Sequence, residues 1–254
     1  MEKAQNIKDL LEWYISAGVS ETCGDTCLKI LSAQENSFQS PVRQATTNLS
    51  QNKIASAQNA RELCTQAQSL AELKTLVSNF QGCSLKLTAK STVFGDGNPN
   101  ASLMIVGEAP GADEDRMGLP FVGRSGRLLE KMLSAIGLKR EDVYITNVLP
   151  WRPPGNRTPT DAEVSICLPF LKRQIELIKP RLLLLLGGSA ANALLDNSDS
   201  ISRLRGRFLE YQTSLTTSVP ALASFHPAYL LRNSAQKAKA WSDFLRILKK
   251  LKEN

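Results

Sequence analysis

The sequence predicts an α/β protein built on a mostly parallel sheet that helices cover on both faces. From residue 102 onward, short and mostly apolar runs alternate with longer amphipathic stretches. Runs of this kind are typical of strands buried on both faces, and the stretches between them have helical spacing. The runs are 103–107, 143–148, 182–187 and 220–225, and the helical stretches are 125–136, 161–178, 189–195 and 236–251. Such a sheet binds ligands beyond the carboxyl ends of its strands.

Composition excludes several classes of protein. The chain has 254 residues, of which 42% are hydrophobic and 22% charged, so it is globular and can bury a sizeable core. Its longest apolar run, which begins at Leu182, is too short for a membrane span, and the N-terminus lacks the features of a secretory signal. Five scattered cysteines argue against a secreted disulfide framework. We predict a cytoplasmic protein with no membrane partner.

The first 75 residues differ from the rest of the chain. They predict an amphipathic helix around Trp13, a linker rich in Gln, Asn and Ser over about 32–60, and a helical stretch over 60–80. We therefore predict an extension over 1–75 and an α/β domain over 76–254. The extension holds 7 Lys and Arg residues and 8 Asp and Glu residues. The domain holds 24 Lys and Arg residues and 16 Asp and Glu residues. The positive charge of the domain favours a polyanionic partner.

Polar clusters follow three of the predicted strands, as the rule for parallel sheets requires. Glu108 and Glu114 come after the first run, Asn147 ends the second, and His226 follows the fourth. His226 is the only histidine of the chain. By itself it would be interpreted as a core histidine at a strand end, but its expected convergence with the other three favours a functional site.

The loop after the first strand has the properties of a ligand-binding turn. The segment from Gly107 to Gly111 holds two glycines and a proline, so its backbone can pass close to a flat or anionic ligand and offer it N–H donors. Neither a phosphate-binding Walker loop nor a dinucleotide fingerprint is present. We interpret Glu108 and Glu114 as candidates to orient a water molecule. The neighbouring Asp113 and Asp115 are expected to be solvated and to complement a helix dipole.

Three further side chains suit the removal of a nucleobase. Phe121 lies between turn residues and either belongs to the core or stacks a planar base. Asn147 offers both a donor and an acceptor to a pyrimidine edge. The imidazole of His226 can hydrogen-bond the negative charge that develops on a departing base.

Removal of a stacked base requires that it be flipped out of the helix. Leu230 and Leu231 either fill the space that the base leaves or belong to the core. Basic residues that follow the strands are candidates for phosphate contacts, foremost Arg157 and Arg232. The others are Arg152, Arg203, Arg205 and Arg207.

With these residues assembled, the chain resembles the bacterial and archaeal family 4 uracil-DNA glycosylases. The resemblance rests on three stretches in order, residues 93–133, 143–177 and 225–232, and covers about 76–250. It implies a three-layer α/β/α sandwich around a small, mostly parallel sheet. It also implies a hydrolase that excises uracil from DNA and leaves an abasic site, with uracil-containing DNA as its partner.

The resemblance implies a role for each residue that matches the family motifs. The glutamates of "GEAPG" and "ADED" are the catalytic carboxylates, of which Glu114 is preferred for the water. The remaining matches are His226 near the uracil carbonyl, Phe121 as the stacking aromatic, Asn147 as the uracil-reading amide, and Gly107 and Ala109 against the substrate.

The chain departs from the family at its iron–sulfur cluster. Family members hold a 4Fe-4S cluster with four cysteines, but here only Cys83 and Cys167 match, while Phe80 and Trp151 replace the other two. Two thiolates cannot supply four-cysteine ligation. We predict that no cofactor is bound and that the two aromatic rings fill the volume. The spacing of Cys23 and Cys27, and the linker after them, argue against substitution from that pair.

Two other functions stay open at this point. One is a noncatalytic DNA-binding relative, and the other is a glycosylase with altered base preference or covalent product trapping. We expect a monomer, with a repair or replication partner as a hypothesis for the extension. The sequence does not specify a preference for single or double strands.

Overall fold

The structure of the protein is a computed structural model that describes residues 56–213 and 217–253. The predicted helix around Trp13, most of the linker, Cys23 and Cys27 lie outside the described residues.

The described chain begins with three helices and continues as alternating strands and helices. The leading helices are α1 (56–66), α2 (Leu70–Asn79) and α3 (Leu85–Thr88). The strands are β1 (Asp96–Gly97), β2 (Leu103–Gly107), β3 (Tyr144–Asn147), β4 (Leu182–Leu186), β5 (Phe208–Gln212) and β6 (Ser218–Ser224). The later helices are α4 (Ala112–Met117), α5 (Arg124–Ser134), α6 (Asp161–Ile178), α7 (Gly188–Leu195), α8 (Ile201–Leu204), α9 (Pro227–Arg232) and α10 (Lys237–Lys252).

The strands form a six-stranded sheet in the order β1-β3-β2-β4-β6-β5. The four central strands are parallel and correspond to the four predicted runs, whereas β1 and β5 pair antiparallel at the two edges. In the register of β2 and β3, Gly107 lies opposite Asn147. The loops after these two strands therefore start side by side.

Helices cover both faces of the sheet. Met104 and Val106 of β2 join one core cluster with residues of α2, α6 and α7, while Leu103 and Ile105 join a second cluster with residues of α5 and α10. Alternate residues of a strand point to opposite faces, so a strand buried on both faces is apolar throughout. The predicted three-layer α/β fold is confirmed.

Side-chain caps explain where two of the helices begin. Thr160 accepts a hydrogen bond from the Glu163 N–H, and the Glu163 carboxylate accepts one from the Thr160 N–H, so α6 starts at Asp161 as predicted. Ser69 accepts a hydrogen bond from the Glu72 N–H and starts α2. This cap interrupts the single helical stretch predicted over 60–80.

The segment before residue 76 also packs on the domain. Ala60, Cys64 and Ala67 are buried in the core cluster that includes α6, and the Arg173 guanidinium of α6 donates to the Ala67 carbonyl at 2.6 Å. Residues 56–60, predicted as the end of the linker, are helical. The packed domain thus begins before the predicted boundary, because the sequence of α1 buries only small residues and shows little apolar pattern.

Within 56–213 and 217–253, we find no helix with the length and apolar character needed to cross a membrane.

Candidate active site

A cleft of about 410 Å³ opens at the carboxyl edge of the sheet. Predicted residues from four separate segments line it, as the parallel-sheet rule requires. They are Glu108, Ala109, Glu114, Phe121, Asn147, Arg157, His226 and Arg232. A larger hollow of about 480 Å³ between α1, α6 and α7 contains none of them.

Asn147 forms the floor of the cleft beside Gly107. The amide is only 4% exposed, and its Oδ1 atom is buried without a hydrogen-bond partner in the described structure. A Cβ at Gly107 would collide with this oxygen and would lie 2.6 Å from the Phe121 ring. Glycine therefore keeps the space next to the amide open. An unsatisfied acceptor at this depth is costly unless a ligand supplies a donor.

Phe121 forms one wall of the cleft in an unusual backbone conformation. Its φ angle is 52°, which few residues other than glycine adopt. The ring is 4% exposed, packs with the core, and lies 5.5 Å from the His226 ring between centroids. Both interpretations of Phe121 from sequence, as a core residue and as a cleft aromatic, describe its position.

The hydrogen bonding of His226 defines its proton positions. Nδ1 accepts a hydrogen bond from the Ala228 N–H at 3.1 Å, and Pro227 occupies the first position of α9. Burial, together with the charge of Arg232, lowers the pKa of His226 to about 4, although Glu114 opposes this shift. At neutral pH the imidazole is neutral, with its proton on Nε2 available to a ligand.

Two contacts support the strand end that carries His226. Gly187, with a φ of 97°, lets β4 pass close to the His226 side chain, whose Cβ lies 3.3 Å from a Cβ built at that glycine. The fully buried Asp243 accepts hydrogen bonds from Ser224 at the end of β6 and from the Arg205 guanidinium. Arg205 therefore helps to hold α10 against β6. Because its guanidinium is already paired with Asp243, the prediction that it contacts phosphate is not supported.

The two glutamates of the cleft differ in their hydrogen bonds. Glu114 accepts from the N–H groups of Gly111, Val122 and Gly123 at 2.8 to 3.1 Å. Glu108 is half-buried; its backbone carbonyl accepts from the Leu149 N–H, but its carboxylate has no hydrogen-bond partner among the described residues. The preference for Glu114 as the water-orienting residue stays a prediction, but its oxygens already accept three backbone hydrogen bonds, whereas those of Glu108 accept none from the described residues.

Asp115 and Arg157 also differ from expectation. Asp115 is 2% exposed, and its carboxylate accepts hydrogen bonds from the N–H groups of Lys90 and Ser91, so it anchors that segment instead of being solvated. Arg157 reaches the cleft, but its guanidinium forms two hydrogen bonds with Glu163, which lower the pKa of that carboxyl to about 2. Arg157 is thus a paired cation.

The two leucines of α9 have separate environments. Leu230 is 1% exposed and packs with Phe225 and Ala240, whereas Leu231 is 41% exposed. The prediction that Leu230 contacts DNA is wrong for this packing, because its side chain would have to leave the core. Leu231 is the leucine that a nucleic acid can reach.

Sequence reasoning missed several residues of the cleft. They include Ser125, Asn156, Thr158 and Tyr229. Tyr229 lies in the first turn of α9, three residues after His226, which caps the start of that helix.

Comparison with known proteins shows the family to which this chain belongs. The uracil DNA glycosylase superfamily matches residues 94–250. The type-4 uracil-DNA glycosylase of Archaeoglobus fulgidus is 42% identical over 184 residues, which cover 71% of this chain and 92% of that protein. The corresponding proteins of Pyrobaculum aerophilum and Thermotoga maritima are each 41% identical and cover 68% and 64% of this chain, or 90% and 83% of their own. The chain belongs to the type-4 uracil-DNA glycosylase family.

The described residues of this type-4 family member include only two cysteines near the position of the implied iron–sulfur cluster. Cys83 and Cys167 are buried with their sulfur atoms 4.0 Å apart. The Phe80 ring stacks with Trp151 at 6.3 Å between centroids, and both rings contact Phe170 edge-on. No group of three or more metal-ligating side chains occurs in the ranges that the structure describes. The described cysteines therefore do not fit a four-iron cluster, and the Phe80 and Trp151 rings are packed in the core beside Phe170.

Proposed function

We propose that the protein hydrolyses the N-glycosidic bond of uracil in DNA and leaves an abasic site. The observation that carries this proposal is the buried and unpartnered Oδ1 of Asn147 in a cleft beside Gly107. The curated relatives carry uracil-DNA glycosylase in their names, which supports the same substrate.

Asn147 reads the edge of the flipped base. Uracil presents a donor at N3 next to a carbonyl acceptor at O4, which complements the side-chain oxygen and the NH₂ group of the amide. The N3–H donor would satisfy the buried Oδ1 atom. Phe121, which lines the same cleft and lies beside Gly107, supplies the face on which the base stacks.

His226 stabilises the departing base. Cleavage of the C1′–N1 bond leaves its electron pair on the uracil, and negative charge spreads to the carbonyl oxygens. The Nε2–H group of the neutral imidazole donates to the carbonyl that faces it. Because Nδ1 is already held by the Ala228 N–H, the ring is oriented before the substrate arrives.

Glu108 orients the hydrolytic water. Its carboxylate lines the cleft and is free of hydrogen bonds to the described residues, so it can accept a proton from a water that bonds to C1′. Glu114 instead holds the loop that carries Phe121 and Gly123. In this assignment both glutamates are needed, but for different reasons.

Leu231 and Arg232 are the proposed DNA contacts on α9. Leu231 is exposed and precedes the cleft residue Arg232 in the sequence, so α9 offers both an accessible apolar side chain and a cation. We propose that Leu231 fills the space left by the flipped base. Arg157 has its charge compensated by Glu163 and contributes less to phosphate binding.

We also propose that the activity needs no iron–sulfur cluster. The packing of Phe80, Trp151 and Phe170 supports this, since it joins the segment between α2 and α3 to the loop after β3 and to α6 without a metal. Iron analysis of anaerobically purified protein tests it. Four irons per chain would overturn this part of the proposal, whereas activity in iron-free protein would support it.

We also propose an oligomeric state and a cellular compartment for the protein. Action as a monomer stays a proposal. Cys64, Cys83 and Cys167 are free and buried, which suits a reducing cytoplasm. A repair or replication partner for residues 1–75 stays a hypothesis.

A strand-scission assay tests the function. Purified protein is incubated with a labelled oligonucleotide that contains one uracil, and abasic sites are then cleaved with alkali. We expect uracil-dependent scission by the wild type and a loss of about a hundredfold in Asn147→Ala. Asn192→Ala is the matched control, because the Asn192 Oδ1 atom is also buried without a partner but lies outside the cleft.

Two outcomes would contradict the proposal. Salt-sensitive binding of the DNA without scission would favour a noncatalytic DNA-binding protein. A protein–DNA adduct that survives denaturing electrophoresis would favour covalent product trapping instead of hydrolysis.

A further inference from the structure

The backbone at Phe121 needs external support. A positive φ of 52° is strained for a phenylalanine, so this conformation persists only if surrounding contacts hold it. The ring position depends on it, because the ring lies between Gly107 and His226 only when the chain turns at this residue. The residues that hold this turn therefore control the wall of the cleft.

Arg140 binds the turn from one side. It lies in a 3-10 turn just before β3, with a side chain only 21% exposed. Its Nη2 atom donates to the Pro120 carbonyl at 2.6 Å and its Nη1 atom to the Phe121 carbonyl at 3.1 Å. Its Nε atom donates to Asp96 of β1 at 2.6 Å, which ties the guanidinium to the edge of the sheet.

Glu114 binds the backbone N–H groups of the same turn. Its carboxylate accepts from the N–H groups of Val122 and Gly123, the two residues after Phe121. The turn is thus held by a cation on its carbonyls and an anion on its amides. Gly126 completes the arrangement, since a Cβ there would overlap the Phe121 carbonyl that Arg140 binds.

We propose that Arg140 is a positioning residue for uracil excision, which acts by holding Phe121 in its strained conformation. The inference rests on the proposed function, in which Phe121 stacks the flipped base. Arginine suits this role because its planar fork can bind two neighbouring carbonyls and a carboxylate at once. Lysine, as a single ammonium, cannot reproduce that geometry.

A double-mutant cycle between Arg140→Gln and Phe121→Ala tests the proposal. Under single-turnover conditions with saturating enzyme, we expect Arg140→Gln to slow uracil release by about tenfold. In the Phe121→Ala background the same change should slow release by less than about twofold, because the ring it positions is gone. The inhibition constant for free uracil should rise in Arg140→Gln for the same reason.

Arg173→Gln is the matched control. Arg173 also donates twice to a backbone carbonyl, that of Ala67, pairs with Glu176 and has a side chain 21% exposed, but it lies far from the cleft. Its loss should leave the single-turnover rate unchanged. Should Arg140→Gln fail to fold, Asp96→Asn releases the same guanidinium from the sheet edge and should give a smaller, equally non-additive loss.

Equal losses in the wild-type and Phe121→Ala backgrounds would overturn the proposal, as would an unchanged rate in Arg140→Gln. Hydrogen exchange gives a readout independent of activity: the amides of residues 121–124 should exchange faster in Arg140→Gln but not in Arg173→Gln. An inactive wild type would refute the proposed function, and unchanged exchange would refute the positioning by Arg140.

Discussion

The Nδ1 atom of His226 accepts a hydrogen bond from the Ala228 N–H at 3.1 Å. This contact is possible only when Nδ1 carries no proton, so it specifies the Nε2–H tautomer of the neutral ring. Burial and Arg232 lower the pKa to about 4 and keep the ring neutral in the range where the enzyme would work.

The single histidine makes this state measurable. An NMR titration of the imidazole in tag-free protein should give a midpoint near pH 4 and the Nε2–H tautomer at pH 7. Because the unfolded histidine titrates near pH 6.5, its contribution to stability is complete above that pH. It is lost as the pH falls toward 4, since the unfolded chain binds the proton first. A midpoint near 6.5 would contradict the buried neutral ring.

Substitution of the two cleft glutamates should separate catalysis from folding. Glu108→Gln is expected to slow excision by about a hundredfold or more with little change in melting temperature, because its carboxylate has no hydrogen-bond partner among the described residues. Glu114→Gln should both slow excision and lower the melting temperature, since a neutral amide holds the N–H groups of Val122 and Gly123 less well. If Glu114→Gln alone lost activity at full stability, the assignment of the water would be reversed.

The neighbouring leucines of α9 provide another matched pair. Leu230→Ala should cost about 2–5 kcal/mol of unfolding free energy, because it removes a side chain packed with Phe225 and Ala240. Leu231→Ala should leave stability nearly unchanged and slow excision from duplex DNA more than from single strands, where no stack has to be filled. Urea unfolding and kinetics on both substrates measure the difference. Equal excision rates for Leu231→Ala and wild type on duplex DNA would argue against the wedge.

The aromatic packing at the former ligand positions should be a major source of stability. Trp151 is 1% exposed and donates to Thr92 through its indole nitrogen at 3.0 Å, so Trp151→Ala should cost about 3–5 kcal/mol. Trp241, which is 42% exposed on α10, provides the control, and its replacement by alanine should change stability much less. Similar costs for the two substitutions would mean that the rings do not substitute for a cluster.

The parallel strands could be predicted because burial on both faces leaves them apolar at every position. The start of α6 could be predicted because its cap is local. The side chains of Thr160 and Glu163 each accept a hydrogen bond from the backbone N–H of the other residue. The gathering of Glu108, Asn147 and His226 followed from topology, because parallel strands bring their carboxyl ends to one edge. These features depend on short-range patterns and one general rule.

Other features depended on the distances between side chains far apart in sequence. Glu114 holds a loop because its carboxylate accepts hydrogen bonds from the N–H groups of Val122 and Gly123. Asp115 is buried, and its carboxylate accepts hydrogen bonds from the N–H groups of Lys90 and Ser91. Leu230 and Leu231 cannot be distinguished from the sequence. In the structure Leu230 packs against Ala240 of α10, whereas Leu231 is exposed to solvent.

The sequence by itself determined the sheet, the edge at which the site lies and the residue types gathered there. Only the tertiary structure decided which of these residues are free to act on a ligand and which hold the backbone, as Arg140 does for Phe121 across 19 positions. The physical reason is that a hydrogen bond forms over about 3 Å, and only packing of the whole chain sets such distances between remote residues.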